Sequence, residues 1–242
     1  MVVMVHAVHH APRPSLPKLT PSEEEYLEAI YVSEGKGNGR VKVGELAGSL
    51  GVKAPSVVEM LQKLKKLGFV GYDRSGVKLT KRGREQAIRV VRRHQLAERL
   101  LSDVFSYGLP KVHDLACKFE HVLDDELTDR LDEMLGKPKT CPHGDPIPSP
   151  RGRSIEIEGE RLSEVGGEEE CVVMVIPEDR GAVERLLSLN VLPGAKVKIV
   201  EKLPRGAIIL QCGRTQVALS RNIASKILVG RHRRRHRRRG KG

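Results

Sequence analysis

The spacing of hydrophobic residues divides the chain into a helical first part and a strand-rich last part. Apolar residues recur every three or four positions from Tyr26 to Leu135, as on one face of an amphipathic helix. From Ile155 onward they come instead in short runs, such as CVVMVI, AKVKIV, AIILQC and TQVAL, separated by turn-forming segments. The pattern predicts a mainly α protein with a C-terminal all-β domain.

The first helical stretch has the order of signals typical of a winged helix-turn-helix. Thr20-Pro21-Ser22-Glu23 predicts a capped helix start, and two short helices follow, the first of them ended by Gly51. The next segment, FVGYDRSGVKLT, indicates two short strands around Arg74. In this arrangement the third helix, which begins at Lys53-Ala54, enters the major groove of DNA with its N-terminus first.

Charge along the chain agrees with a DNA-binding head. The net charge is +12, and the last twelve residues hold eight of the 43 Lys and Arg residues, which leaves 35 against 31 acidic residues. Within that body, Arg40–Arg93 has 14 basic and four acidic residues, whereas His94–Leu135 has four basic and ten acidic residues. This separation favours phosphate binding by the first segment and cation binding by the second.

The basic residues of the third helix and the wing are placed to neutralise phosphates, whereas the start of that helix can reach base edges. The candidate DNA-contacting residues are Lys53, Ala54, Pro55, Ser56, Glu59, Lys63 and Arg74.

The segment from His94 to His121 carries three imidazoles, two carboxylates and a thiol at helical spacings of three and four. These donors are His94, Glu98, His113, Cys117, Glu120 and His121. Together they form the ligand set of a divalent transition-metal site. Polar residues at the edges of two amphipathic helices are the alternative, but six matched donors make it the weaker interpretation.

Composition excludes several protein classes. No apolar run approaches the ~20 residues of a membrane helix. Trp is absent and aromatic residues make up 3% of the chain, so the cores must be aliphatic. Four scattered cysteines without a CxxC pair favour a reducing cytoplasm.

The first 18 residues are interpreted as a disordered arm. The Arg- and His-rich tail is interpreted as a DNA tether or a solubilising end.

Five strings along the chain are similar to those of a known family. They are EEYLEAIY, KAPSVVEMLQKLKKLGFV, RRHQLAERLL, KVHDLACKFEHVLDDEL and CPHGDPIP. From Leu19 to Val229 the chain resembles the diphtheria-toxin-repressor family of metal-dependent transcriptional regulators. The resemblance implies a homodimer that binds a double-stranded DNA operator with Fe²⁺ or Mn²⁺ as corepressor, with Co²⁺, Ni²⁺ or Zn²⁺ possible in vitro. It implies neither a membrane partner nor a small organic substrate.

The resemblance also implies two metal sites. His94, Glu98 and His113 match the ancillary site. The primary site matches Glu25, Cys117, Glu120 and His121. The iron-responsive branch usually has Met at the position of Glu25, and the manganese-responsive branch has Asp there with Glu in place of the Cys. The chain mixes the two patterns, so the identity of the metal stays open.

The segment GKPKTCPHGDPIPSP marks a domain boundary. Cys141 and His143 could form a metal-binding pair, but a structural turn is the favoured interpretation. The β-rich end resembles the SH3-like domain of the ferrous-iron-transport A type, which lends ligands to the ancillary site in some relatives. Glu178 and Asp179 fall near the matching loop, where a solvated acidic turn is as good an interpretation.

The expected organisation is therefore five segments. They are an arm (1–18), a winged helix-turn-helix (19–90), a helical metal-binding and dimerisation domain (91–150), an SH3-like domain (151–230) and a basic tail (231–242). The helical domain is expected to form the dimer through an apolar stripe of residues. These are Ala97, Leu100, Leu101, Val104 and Phe105.

Two other functions would account for part of this pattern. A metal-trafficking protein that docks through its SH3-like domain explains the donors but not the winged helix. A hydrolase that uses Cys117 needs an accessible thiolate and an oxyanion hole, and no Gly-rich turn lies nearby. The chain is therefore expected to be a cytoplasmic regulator and not an enzyme.

Overall fold

The structure, a computed structural model, describes residues 19–36, 39–150, 157–167, 169–204 and 206–231. The chain forms two compact units, Met1–Gln86 and Ala87–Gly242, and each is described by itself. The expected arm and nearly all of the basic tail lie outside the described residues. Within the described ranges, no helix has both the length and the apolar character that crossing a bilayer requires.

Three helices and a β-hairpin make up most of the first unit. They are α1 (Pro21–Lys36), α2 (Val43–Leu50), α3 (Ala54–Lys66), β1 (Val70–Asp73) and β2 (Gly76–Leu79). The start of α1 is a capping box: the Thr20 backbone N–H donates to Glu23 Oε2 at 2.7 Å, and the Glu23 N–H donates to Thr20 Oγ1 at 3.4 Å. At the end of α2, Gly51 adopts a φ of 65°, which closes the helix before α3 begins.

The core of the first unit is aliphatic, as the composition predicted. Its fully buried side chains include Leu27, Leu46, Leu61 and Phe69. The hairpin strands pair antiparallel around the turn at Arg74-Ser75, and an isolated bridge joins Val41 to Val77. The predicted winged helix-turn-helix is confirmed, and α3 follows α2 across a three-residue turn.

The helical part of the second unit begins on a helix that starts in the first. Its elements are α4 (Lys81–Arg99), a π-helical turn (Leu100–Val104), α5 (Leu109–Phe119), a 3₁₀ turn (Glu120–Val122) and α6 (Asp125–Met134). Leu96, Leu101 and Val112 pack in one aliphatic core.

The expected dimer stripe is partly wrong. Ala97 and Leu101 are buried in the core of their own chain, whereas Val104 and Phe105 are 53% and 58% exposed. For Leu101, Val104 and the adjoining Phe105, the wider winding of the π-helical turn changes the phase of the face that the α-helical spacing had predicted, whereas Ala97 precedes this turn on α4.

A six-stranded antiparallel sheet with order β3-β8-β4-β5-β6-β7 makes up the rest of the second unit. The strands are β3 (Glu160–Arg161), β4 (Glu170–Val175), β5 (Lys196–Lys202), β6 (Ile208–Cys212), β7 (Thr215–Leu219) and β8 (Leu228–Arg231). Helices α7 (Arg180–Ser188) and α8 (Arg221–Ala224) complete the domain. Four strands lie where the hydrophobic runs predicted them. The two-residue β3 was not predicted, because it is too short to show an alternating pattern.

Candidate metal centre

Helices α4 and α5 carry the first four metal-donor side chains. His94 and Glu98 are one turn apart on α4, and His113 and Cys117 are one turn apart on α5. His113 Nδ1 lies 3.2 Å from His94 Nε2, and His113 Nε2 lies 3.6 Å from Cys117 Sγ. The structure therefore brings together the residues that the sequence placed on separate helical stripes.

Glu98 lies at the centre of this group and is completely buried. Its Oε1 atom is 3.3 Å from His94 Nε2, 3.6 Å from His113 Nδ1 and 3.0 Å from His143 Nδ1. Despite these neighbours, Oε1 accepts no well-directed hydrogen bond from the described residues. Burial raises the pKa of Glu98, but the three imidazoles outweigh it and hold the pKa well below its usual range.

The imidazole at 3.0 Å comes from the CPHG turn. The turn closes through hydrogen bonds from Cys141 N to Asp145 O (2.8 Å) and from Gly144 N to Cys141 O (3.0 Å). Two arginines of α4 hold the turn, since Arg92 Nη1 donates to Pro148 O at 2.8 Å and Arg99 Nε donates to Thr140 O at 2.7 Å. The helix that carries Glu98 therefore also positions Cys141 and His143.

The predicted structural turn is present, but it also delivers donors. His143 is completely buried and Cys141 is buried almost as fully. Burial, followed by the charge of Glu98, raises the pKa of the Cys141 thiol well above its usual range. In the sequence, the Cys-x-His spacing of Cys141 and His143 indicates possible metal donors. Such a short pair, however, does not distinguish metal donors from residues of a structural turn.

We expect Gly144→Ala to destabilise the second unit. Gly144 has a φ of 98°, and a Cβ at this position would lie 1.9 Å from the Met174 carbonyl oxygen on β4. Strain and clash together should cost roughly 2 kcal/mol or more, which lowers the melting temperature by several degrees. Gly136→Ala is the matched control, because Gly136 has a φ of 75° with nothing within 4 Å. Equal melting temperatures for the two variants would contradict the clash.

The loop between β4 and α7 supplies one more carboxylate. Glu178 Oε2 lies 3.6 Å from His113 Nδ1, so this residue belongs to the donor group. Its neighbour Asp179 does not share that position. Asp179 instead caps α7, where Oδ1 accepts from Ala182 N at 3.0 Å, and its Oδ2 lies 3.3 Å from Lys226 Nζ. The structure thus separates the two acidic residues that the sequence had grouped.

His113 and Cys117 form a charge-coupled pair. Burial lowers the pKa of His113, but hydrogen bonding to Cys117 and Glu98 and the charge of Glu178 outweigh it and raise the pKa to about 10. For Cys117, burial raises the pKa, and the His113 and His94 side chains outweigh it and lower the pKa. The thiol is therefore biased toward thiolate, the form that binds metals.

The expected primary set is not assembled in the same way. Helix α5 ends at Phe119, and Glu120 and His121 lie in the 3₁₀ turn that follows, where the winding is tighter than in an α-helix. Glu120 Oε2 accepts from His94 Nδ1 at 2.6 Å. Within the described residues, Cys117 groups with His94 and His113 and not with Glu120 and His121. Glu25 is exposed on α1 of the first unit.

Taken together, the donor atoms of the second unit fall into three overlapping groups, each with all its atoms within 4.8 Å of one another. These are His94, His113 and Cys117; His94, Glu98, His113 and Glu178; and Glu98, Cys141, His143 and Glu178.

In the first unit, the predicted DNA-contacting residues at the start of α3 are all exposed. They are Lys53, Ala54, Pro55, Ser56 and Glu59. Arg74 is exposed at the tip of the wing. Lys63 is also exposed, but its Nζ lies 3.1 Å from Oε1 of the buried Glu23, so part of its charge is already paired within the unit.

Comparison with known proteins agrees with this division. Residues 18–76 match the N-terminal DNA-binding domain of iron-dependent repressors, and residues 80–149 match their metal-binding and dimerisation domain. The iron-dependent repressor IdeR of Mycobacterium leprae is 31% identical over 226 residues, which is 87% of this chain and 97% of that protein. The chain belongs to the iron-dependent repressor family.

Another family member, a solved structure and a further domain family are also similar to this chain. The diphtheria toxin repressor of Corynebacterium efficiens is 29% identical over 234 residues, covering 87% of this chain and 96% of the relative. A manganese-dependent transcriptional repressor solved in complex with manganese superposes with a TM-score of 0.81 at 29% identity, covering 86% of this chain and 99% of that one. Residues 160–231 match the FeoA domain, which coincides with the six-stranded sheet.

Proposed function

We propose that the protein is a metal-activated, DNA-binding transcriptional regulator, with Fe²⁺ or Mn²⁺ as corepressor. The proposal rests on one observation. A chain of this family contains both a winged helix with an exposed α3 N-terminus and a buried cluster of imidazole, carboxylate and thiol donors. The function is binding and not catalysis.

The residues present fit a divalent cation. Glu98 keeps a fully buried oxygen without a well-directed hydrogen bond among the described residues, with three imidazole nitrogens within 3.6 Å. A buried carboxylate in this condition is costly unless a cation completes its surroundings. In the metal-free protein the protonated His113 balances part of the carboxylate charge, and a bound cation would supply that positive charge in its place. We assign His94, Glu98, His113 and Glu178 to this ancillary site.

Neighbouring residues orient these donors. Glu120 accepts from His94 Nδ1 at 2.6 Å, which leaves His94 Nε2 directed toward Glu98 and His113. Ligating histidines in proteins commonly have a carboxylate partner of this kind on the other ring nitrogen.

We also propose Glu25, Cys117, Glu120 and His121 as the primary site. This assignment rests on the resemblance of their sequence positions to the family pattern.

The central experiment is a DNA-binding assay with added metal. We expect retardation of an operator fragment by the full chain with Mn²⁺ or Fe²⁺, and its loss on chelation. Metal-independent binding of equal strength would contradict the proposed function.

We expect Arg74→Ala to weaken binding to all DNA sequences and to flatten its salt dependence by about one unit of slope, because phosphate contacts release counterions without reading bases. Lys63→Ala should have a smaller effect, since Lys63 is already paired with Glu23. Ser56→Ala and Glu59→Ala should instead change which operator is preferred. Binding isotherms at several salt concentrations test this, and unchanged isotherms for all four variants would refute the proposed interface.

We also propose a homodimer formed by the exposed apolar residues of the helical part of the second unit. Phe105 and Met134 are 58% and 62% exposed, and Val104 and Leu127 are also exposed. A Phe105→Asp variant should shift the chain from dimer to monomer at micromolar concentration, because a charge would be buried at the interface. Val200→Asp, on an exposed position of β5, is the control. Light scattering that shows a dimer for both variants would exclude this surface.

A further inference from the structure

Two of the donor groups share both of their carboxylates. Glu98 and Glu178 occur with His94 and His113 in one group, and with Cys141 and His143 in the other. Each group therefore has two donors of its own and two in common. Glu98 Oε1 lies 3.6 Å from His113 Nδ1 on one side and 3.0 Å from His143 Nδ1 on the other.

The spacing of these atoms suits metal ligation. Two ligands of one tetrahedral ion, bound at about 2.0–2.3 Å, lie roughly 3.3–3.8 Å apart. Two ions that share carboxylates typically lie about 3.5–4 Å apart. The separation of 3.2 Å between His94 Nε2 and His113 Nδ1 is close to the first value.

Burial gives an independent argument for a ligand on the Cys141 side. His143 is completely buried, and its Nδ1 atom lies 3.0 Å from Glu98 Oε1, a buried oxygen that accepts no well-directed hydrogen bond from the described residues. Cys141 is 2% exposed, and its thiol lies within 4.8 Å of the donor atoms of Glu98, His143 and Glu178. A buried polar atom without a partner is costly, and a bound cation removes that cost.

Charge also favours two ions over one. Once a metal ion has displaced the Cys141 proton, the two carboxylates and the thiolate carry three negative charges, which one divalent cation cannot balance in a buried site. Two divalent cations give four positive charges, which nearly match. The thiol makes the Cys141 side softer, whereas the side with His94 and His113 carries only nitrogen and oxygen donors.

We infer that the second unit holds a dinuclear metal centre in which Glu98 and Glu178 bridge two divalent ions. His94 and His113 complete one position, and Cys141 and His143 complete the other, which prefers thiophilic ions such as Zn²⁺ or Co²⁺. This inference rests on the proposed function in one respect, namely that the cluster around Glu98 binds divalent metal.

The test counts metal ions on a chain whose primary site is disabled. A Cys117→Ser/His121→Ala parent removes two donors assigned to the primary site and leaves Cys141 as the thiol of the cluster. We expect this parent, stripped by chelator and reloaded, to bind two Co²⁺ ions per chain with a thiolate-to-cobalt absorption band. With Mn²⁺ it should give the exchange-coupled paramagnetic resonance spectrum of a bridged pair.

Further variants of this parent assign each position. Adding Cys141→Ser should remove the thiolate band and one ion, and adding His94→Ala/His113→Ala should remove one ion but keep the band. Adding Glu98→Gln should remove both ions. Cys171→Ser is the matched control, because Cys171 is equally buried but lies on β4 outside the cluster. Circular dichroism checks that each variant is folded.

A parent that binds a single ion would overturn the bridged pair. If that ion stayed in place both after Cys141→Ser and after His94→Ala/His113→Ala, the cluster would instead hold one ion in either of two alternative positions. An isolated-ion Mn²⁺ spectrum at full loading would overturn it as well. The proposed function is judged separately, by metal-dependent operator binding of the unmodified chain, so the two can fail independently.

Discussion

Replacing His121 with Ala is expected to abolish metal-activated DNA binding. His121 lies in the 3₁₀ turn after α5 and is largely buried, and its sequence position resembles the primary site of the family. Loss of a residue that only orients a metal ligand already costs about 10–100-fold in metal affinity, so loss of an imidazole ligand should cost more. Operator binding titrated with Mn²⁺ and Fe²⁺ measures the effect.

The matched control is His94→Ala, an imidazole removed from the ancillary group. This variant should lower metal stoichiometry and thermal stability while metal still activates DNA binding, although the contact of His94 with Glu120 predicts a reduced metal affinity. The opposite result, with activation lost in His94→Ala and intact in His121→Ala, would exchange the roles of the two sites.

Metal affinity of the ancillary group is expected to rise steeply with pH. The pKa of His113 is raised to about 10, so its imidazole is protonated in the metal-free protein at neutral pH. Metal must displace that proton, because a ligating imidazole is neutral. Affinity should therefore rise about tenfold per pH unit for each proton displaced, from pH 6 to 9.

Calorimetric titration in buffers of different ionisation enthalpy counts the protons released on binding. His113→Gln should bind metal more weakly and release fewer protons, which flattens the pH dependence. A pH-independent affinity in the unmodified chain would show that His113 is neutral before metal arrives.

His113 and Glu98 make the stability of the metal-free protein depend on pH in opposite directions. The raised pKa of His113 gives stability that is complete below pH ~6.5 and is lost as pH rises toward about 10. The lowered pKa of Glu98 gives stability that is present above pH ~4.5 and is lost as pH falls below it. We therefore expect the metal-free chain to be most stable between these limits.

Much of the fold could be predicted because local signals and global packing agree. The capping box at Thr20 and Gly51 after α2 mark boundaries that depend on a few neighbouring residues. The π-helical turn at Leu100–Val104 could not be predicted in this way, because a change in helical winding leaves no clear trace in the spacing of apolar residues.

The candidate site also contains some residues that could be predicted from local sequence spacing and others that could not. His94, Glu98, His113 and Cys117 could be found because each pair is one helical turn apart. The contribution of His143 could not, because it depends on where Arg92 and Arg99 hold a loop more than 40 residues away in sequence. Likewise, only the fold shows that Glu178 faces His113 while Asp179 caps a helix.

In the proposed metal centre, the position of Glu178 ties the C-terminal domain to metal sensing. This carboxylate comes from the loop after β4 of the FeoA-like sheet, whereas the other donors of the cluster precede residue 150. A chain shortened to its first two family-matched segments would keep His94, Glu98, His113, Cys141 and His143 but lose a shared carboxylate. In that proposed centre the sheet domain is a component of the sensor and not an independent appendage, and its removal should change the metal response without any change in the DNA-binding unit.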